Sequence, residues 1–380
     1  MAVLYISYDG AAEALGQSQV VAYLERLAGE ADITLVSFEK PGGDLEAVAG
    51  RLAAAGIRWR ALRYHRRPPV LSTAWDVLAG ARAVRAESRR RAPDIVHVRS
   101  DVPALIALAA GRRGKLLFDI RGFWADERVD LGIFRRNGFL YRLARRCERR
   151  FYAEADAVVV LTEAALPQVR RWLAKRDVPV EVIPTCTDVA RFAASVPRAG
   201  GPRAIWCGSV GGWYRLDLGA RLAGALDLPL TVLTREVESA CAQVEDAEIR
   251  EVEPDRVPAE LCEGDVGLCL IRPSFAKTAS APTRLAEYLA AGMPVAVTPG
   301  VGDLEAIVEG DAVGVVVRDE SEAGLADAAR VLRELAGDPA ARERCRALAR
   351  ERFSLERGVS AYAALYARLT GSPPSAGSPG

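Results

Sequence analysis

The sequence predicts a doubly wound α/β protein built from two similar domains, and three observations carry that expectation. Short apolar, β-branched runs alternate with amphipathic stretches of helical length, the pattern of mainly parallel sheets covered by helices. The alternation gives way to a Pro- and Gly-containing segment near 193–203 and then starts again. At 380 residues the chain has room for two domains of ordinary size.

In the first domain, 1–195, strands are expected over 3–8, 33–38, 57–62, 95–98, 115–119, 157–161 and 180–183, with helices between them. In the second, 203–355, they are expected over 203–207, 230–233, 249–252, 266–271, 295–298 and 314–317. Helices fill the chain from there to Leu369, and 371–380, made of Gly, Ser, Pro and Ala, is expected to be a disordered tail.

Half of the residues are hydrophobic and 27% are charged, which excludes a mainly disordered or fibrous chain. No apolar run reaches the roughly 18 residues of a spanning helix. The first ten residues lack a basic leader followed by an apolar stretch, so a cytoplasmic protein is expected. Seven cysteines without a C-x-x-C pair suggest small buried hydrophobes rather than disulfides or a zinc site. Two histidines exclude a multi-histidine metal centre, no metal is expected, and His97 reads as a hydrogen-bonded core residue.

Charge is balanced overall at +1 but unevenly spread: residues 1–200 hold 32 Lys and Arg against 23 Asp and Glu, and the remainder 19 against 27. The excess includes Arg145, Arg146, Arg149 and Arg150. A basic first half suits an anionic or lipid-linked partner and possible peripheral contact with the inner face of a membrane, or equally a solvated Arg-rich face. Nucleic acid is not expected, since no binding motif accompanies the arginines.

Two doubly wound domains fit either a dinucleotide-dependent oxidoreductase or an enzyme that binds a nucleotide-sugar, and the glycines separate them. The turn after the first strand, Gly10 through Gly16 and Gln17, is not G-x-G-x-x-G, and Gly300-Val301-Gly302 meets Glu305 where a small residue is required. Hydride transfer is disfavoured. The most informative stretch is 271–294, where a strand ends at Ile271 and a helix starts after Ser280 and Pro282 and stops at Gly292. A helix N-terminus at the carboxyl end of a parallel sheet binds phosphate through free N–H groups and the helix dipole. Lys277 and Arg284 add positive charge, and Thr283 and Glu287 share a face on which a carboxylate can accept ribose hydroxyls.

That stretch, with Ser274-Phe275-Ala276-Lys277, Ser280, Pro282-Thr283-Arg284-Leu285 and Glu287-Tyr288-Leu289, resembles the donor-site motif of the family 4 GT-B glycosyltransferases. The resemblance extends to the Gly16-Gln17 loop, to 183–192, to Trp206-Cys207-Gly208 through Arg215, and to the closing helices. It implies two Rossmann-like domains facing a central cleft, with the helix over 356–370 packing back on the first. It implies a retaining hexosyltransferase that needs a nucleoside diphosphate sugar as co-substrate and no cofactor. On that resemblance, Gly208, Ser280, Thr283, Arg284 and Glu287 bind the donor, and Gly16 and Gln17 lie on the acceptor side; Arg121, Asp126 and Glu127, in a charged loop at the carboxyl end of a strand, are acceptor-side candidates on position alone, or equally a structural ion-pair cluster. The expected catalytic set is Arg215, which matches the family's second diphosphate-binding cation, Lys277 in place of the first, and Asp126 from the acceptor-side loop. The chain departs from the family pattern at Ala279, where an earlier glutamate is usual, and at Ser209, where a first basic residue usually meets the diphosphate. The acceptor classes that fit are saccharides, as in polysaccharide biosynthesis, lipid-linked glycans and secondary metabolites. A sugar-nucleotide epimerase and a non-catalytic nucleotide-sugar-binding protein are the rivals.

Overall fold

The computed structural model describes residues 1–68, 70–174, 176–193 and 201–371. The expected domain end at 195 and the tail beyond Gly371 lie outside the described residues, as does most of the expected linker.

Two compact units divide the chain. The first comprises Met1–Leu161, Ala165–Ile183 and the chain from Gly358 onward; the second comprises Thr162–Ala164 and Pro184–Arg357. The first contains β1 (Ala2–Ser7), β2 (Asp32–Glu39), β3 (Arg58–Arg63), β4 (Ile95–Arg99), β5 (Lys115–Asp119), β6 (Ala157–Val160) and β7 (Val180–Val182). The second contains β8 (Ala204–Cys207), β9 (Leu230–Leu233), β10 (Ala247–Arg250), β11 (Val266–Cys269), β12 (Val295–Val297) and β13 (Gly314–Val316). The sheets run β3-β2-β1-β4-β5-β6-β7 and β10-β9-β8-β11-β12-β13, with neighbours parallel throughout. Each therefore begins with the doubly wound order 3-2-1-4-5-6, whose switch points lie between β1 and β4 and between β8 and β11. Loops leaving the carboxyl ends of strands at such points form the crevices where α/β proteins bind ligands.

Burial explains the strand pattern. All six residues of β1 are buried, as expected of a central strand covered on both faces. Strand β3, at the edge, places Arg58, Arg60 and Arg63 toward solvent, and these charges protect an otherwise pairable edge. Arg58 bonds Thr34 Oγ1 at 2.9 Å and pairs with Asp32, so part of the basic excess is sheet edge. The other edge, β10, starts two residues earlier than expected. Val252 packs beside the core of the second unit instead of extending the ladder, which is why an apolar residue there misled the pattern.

The helix Leu355–Thr370 enters the first unit at Gly358. There Tyr362 and Tyr366 pack around His97, with ring centroids 5.3 and 5.8 Å away. His97 is a buried core residue: its Nδ1 shares a 2.7 Å hydrogen bond with Tyr366 Oη, and Nε2 faces Asp119 Oδ2 at 3.4 Å. Burial lowers its pKa despite the carboxylate, keeping the imidazole neutral. Burial also opposes ionisation of Asp119, but Arg121, the His97 hydrogen bond and Arg99 outweigh it and hold the carboxyl at about 2. All seven cysteines are free thiols.

Candidate functional site

In the second unit, the switch point brings together the loop after β8 and the segment after β11. The latter runs through a 3-10 turn, Ala276–Ala279, into the helix Thr283–Ala290. Its backbone is anchored on several sides. Thr162 and Thr185 hydroxyls donate to the carbonyls of Thr278 and Ala281, each at 2.7 Å, and the Gly302 N–H donates to the Lys277 carbonyl. Tyr288 seats the helix on the sheet: its hydroxyl accepts the Cys207 N–H at 2.8 Å, and its ring lies so close to Gly267 that a Cβ there would meet it at 2.4 Å.

Ser280 does not cap this helix. The N-cap is Pro282, with no side-chain acceptor, because Ser280 closes the preceding turn through its N–H to the Lys277 carbonyl. The Leu285 N–H bonds the Pro282 carbonyl at 3.1 Å, and no side chain caps the Thr283 and Arg284 amides. Gly292, with φ 76°, takes the left-handed conformation that ends the helix.

Arg284, in the first turn, is 6% exposed. Its guanidinium lies 4.8 Å from the Trp206 ring centroid and 4.5 Å from that of Tyr214, and Nη2 donates to the Ser209 carbonyl at 3.2 Å. Nη1 is buried without a hydrogen-bond partner among the described residues. A buried cation so placed, held by ring faces and one carbonyl, is incompletely compensated and suited to an anion. Gly208 permits the arrangement: at φ 106° it occupies glycine territory, and a Cβ would meet Arg284 Nη2 at 2.8 Å. Lys277, 9% exposed, reaches the same loop, its Nζ 3.6 Å over the Trp213 ring. Glu287 follows one turn after Thr283. Burial raises its carboxyl above the ordinary range, while Arg284 and Arg191 pull it back.

Arg215 stands apart from this set. Its Nη1 and Nη2 bond the two Glu320 carboxylate oxygens at 3.0 Å each, and Nε bonds Asp217. These bonds, to Asp217 first and Glu320 second, raise its pKa. It serves as a fork between the starts of two helices, Leu216–Leu226 and Glu322–Gly337. Ala279, at the usual glutamate position, is buried.

The remaining candidates lie in the first unit. Gly16 packs on the Gly10 carbonyl so tightly that no side chain fits, and Gln17 opens a five-residue π-helical stretch and bonds the Ala12 carbonyl. The loop from Gly10 to Gly16 is not an open anion cradle. The buried Glu39 carboxylate accepts from the Ala11 and Ala12 N–H groups, at 2.9 and 3.1 Å, and from Ser37 Oγ. Sequence reading missed Glu39, whose only signal was an acidic residue ending an apolar strand. Arg121 lies 3.5 Å from Asp119, and Glu127 folds over Gly122. Asp126 is 2% exposed and joins two helices: it accepts from Tyr141 Oη at 3.0 Å, with Arg136 and Arg145 within 3.7 Å. Arg145 is likewise inward, over the Trp172 ring and paired with Glu148. Among the described residues, no cluster of three or more His, Cys, Asp or Glu could hold a metal.

Comparison with known proteins agrees with this architecture. Residues 16–191 match the model of Glycosyltransferase Family 4, and residues 215–363 match that of a glycosyl transferase-like domain. The two matches mark the chain as a glycosyltransferase, with family 4 matched over its first unit. No curated protein is similar enough in sequence to match it. Among solved structures, sucrose-phosphate synthase from Thermosynechococcus elongatus is similar at TM-score 0.69 and 15% identity, covering 98% of this chain and 99% of that one. A glycosyltransferase from Rickettsia africae ESF-5 follows at 0.68 and 15%, covering 97% and 98%. Anabaena HepE in complex with UDP gives 0.64 and 14%, covering 97% and 100%. At these identities the likeness establishes the GT-B fold, and the two family matches establish the glycosyltransferase class.

Proposed function

We propose that this glycosyltransferase takes its sugar from a nucleoside diphosphate sugar and holds the diphosphate at the N-terminus of the helix Thr283–Ala290. The observation that carries the reading is the buried, incompletely bonded guanidinium of Arg284 beside an uncapped first turn. Anabaena HepE, a protein of the same fold, is seen with UDP, which makes UDP the natural first probe. Arg284 and Lys277 are the cations assigned to the diphosphate, and Glu287 to the ribose hydroxyls. Arg215, already saturated by two carboxylates, supports the loop rather than the ligand.

As the bond from the anomeric carbon to the diphosphate breaks, the electron pair leaves with the phosphate oxygen and the sugar gains positive character. Fixed donors aimed at that developing charge lower the barrier without reorganising. Arg284, Lys277 and the uncapped amides of Thr283 and Arg284 are such donors. The match of 16–191 to family 4 favours transfer with retention of anomeric configuration, the acceptor proton passing to the departing phosphate. The basic first half of the sequence favours an anionic or lipid-linked acceptor, as in glycan assembly.

The test is calorimetric titration with UDP, GDP and ADP, paired with NMR analysis of the anomeric product from UDP-sugars and a set of acceptors. The reading expects one base to be preferred, binding to weaken in Glu287→Ala and Lys277→Ala, and an axial-to-axial or equatorial-to-equatorial product. Inversion removes the retaining mechanism. Turnover of the donor to an epimer without acceptor replaces transfer with epimerisation.

A further inference from the structure

Large apolar side chains stand in solvent within the basic part of the first unit. On the helix Leu71–Arg90, positions 71, 75 and 78 fall on one face, and Leu71 is 68%, Trp75 60% and Leu78 51% exposed. The same stripe continues through Arg82, while the opposite face buries Val77, Ala81 and Val84. The helix Phe139–Glu154 repeats the arrangement, with Phe139 at 73% and Leu143 at 47% followed by the exposed Arg146 and Arg150. Both helices pack against the intervening helix Asp101–Ala109, so the two stripes lie on one side of the first sheet. Ile133, 51% exposed, lies in the segment before that helix.

The charge around these side chains is predominantly positive, with Asp130 beside the second stretch and Glu154 paired with Arg150 at its far end. Residues 58–75 contain five arginines and no acidic residue, and residues 131–147 contain another five, also with none. Arg145 points inward, but Arg66, Arg67, Arg135, Arg142 and Arg146 are exposed. Arginine alone suits any polyanion. Leucine, isoleucine, phenylalanine and tryptophan standing among the arginines suit an occupant with an apolar layer beneath its negative charge, which is the cross-section of an anionic bilayer. No helix of the described residues is long and apolar enough to cross a membrane, so the contact is with its surface.

We infer that this face, formed by the outer stripes of helices Leu71–Arg90 and Phe139–Glu154, docks the protein onto anionic phospholipid, with Leu71, Trp75, Phe139 and Leu143 entering the headgroup boundary. The inference does not depend on the donor assignment. A lipid surface held against the first unit also offers this unit a membrane-borne acceptor.

The experiment is co-sedimentation of the full chain with phosphatidylcholine vesicles, with and without ~30% phosphatidylglycerol. The protein sediments with the anionic vesicles, and raising the salt releases it. Trp75→Ala with Phe139→Ala lowers the partition coefficient about 10-fold or more. Arg142→Glu with Arg146→Glu lowers it by at least about 20-fold, since each basic residue near the surface contributes roughly a factor of five. Both pairs are solvent-facing, and circular dichroism confirms that the variants fold. Absence of wild-type binding to anionic vesicles overturns the inference, as does binding that neither pair weakens. Binding of duplex DNA without vesicle binding also overturns it.

Discussion

Replacing Arg284 separates its two energetic roles. Met conserves the length and much of the volume of the side chain while removing the charge. The folded protein then loses two cation–π contacts, worth about 0.5–2 kcal/mol each, and one hydrogen bond of about 1 kcal/mol to the Ser209 carbonyl. Against that loss stands the cost of keeping a guanidinium out of water with Nη1 unbonded, several kcal/mol for a buried ion. The terms nearly cancel, so Arg284→Met leaves the unliganded protein within about 1 kcal/mol of wild type. The bound state has no such compensation. A charge-assisted bond to phosphate is worth about 1.5–3 kcal/mol, so UDP affinity falls about 10- to 150-fold. Arg215→Met has the opposite signature: it breaks a partly exposed fork to Glu320 and Asp217, costs about 1 kcal/mol of stability, and leaves affinity within about threefold. Thermal melts with and without UDP, alongside calorimetry, read both quantities. If Arg284→Met unfolds by several kcal/mol while binding UDP normally, the guanidinium is a structural group and the reasoning fails.

Other expectations follow from the same geometry. Gly208→Ala, forced to φ 106° with its Cβ against Arg284, costs about 1–3 kcal/mol and weakens UDP binding; wild-type behaviour in a urea titration and calorimetry contradicts this. Tyr288→Phe strands the Cys207 N–H in the core and lowers stability by about 1–3 kcal/mol, measurable as a shift of the urea midpoint. Stability also depends on pH. His97 has a folded pKa below its ordinary 6.5, so its contribution is complete above 6.5 and is lost as pH falls toward the folded value; an unfolding midpoint that does not drop from pH 7.5 to 5 argues against a buried neutral imidazole. Asp119, held at about 2 against an ordinary 3.8, contributes about 2 kcal/mol above pH 4 that is lost between pH 4 and 2, and Asp119→Asn flattens that acid limb.

Much of the architecture was legible because it rests on local pattern. All thirteen strands of the described residues lie where apolar β-branched runs predict them, with β10 displaced by two residues because an edge strand carries a weak apolar signal. The segment from Ile271 to Gly292 was also readable, since the strand end, the turn, the helix start and the glycine stop are each local. The division of labour between cations was not. Arg215 and Arg284 look alike in sequence; the difference is made by Glu320, 105 positions from Arg215, and by the ring faces of Trp206 and Tyr214 around Arg284. Long-range burial likewise turned Arg145 and Asp126 inward and gave Glu39 the loop amides. Charges whose partners are distant in the chain cannot be sorted by spacing, because desolvation is set by the assembled fold.

The account's central claim is that the diphosphate rests on Arg284 and the first turn of the helix Thr283–Ala290. A crystal structure of the protein soaked with UDP tests it most directly. The account predicts a phosphate oxygen within hydrogen-bond distance of Arg284 Nη1 and the first-turn amides, Lys277 nearby and the ribose on Glu287. A diphosphate seated instead on Arg215, with its bonds to Glu320 and Asp217 broken, would contradict it.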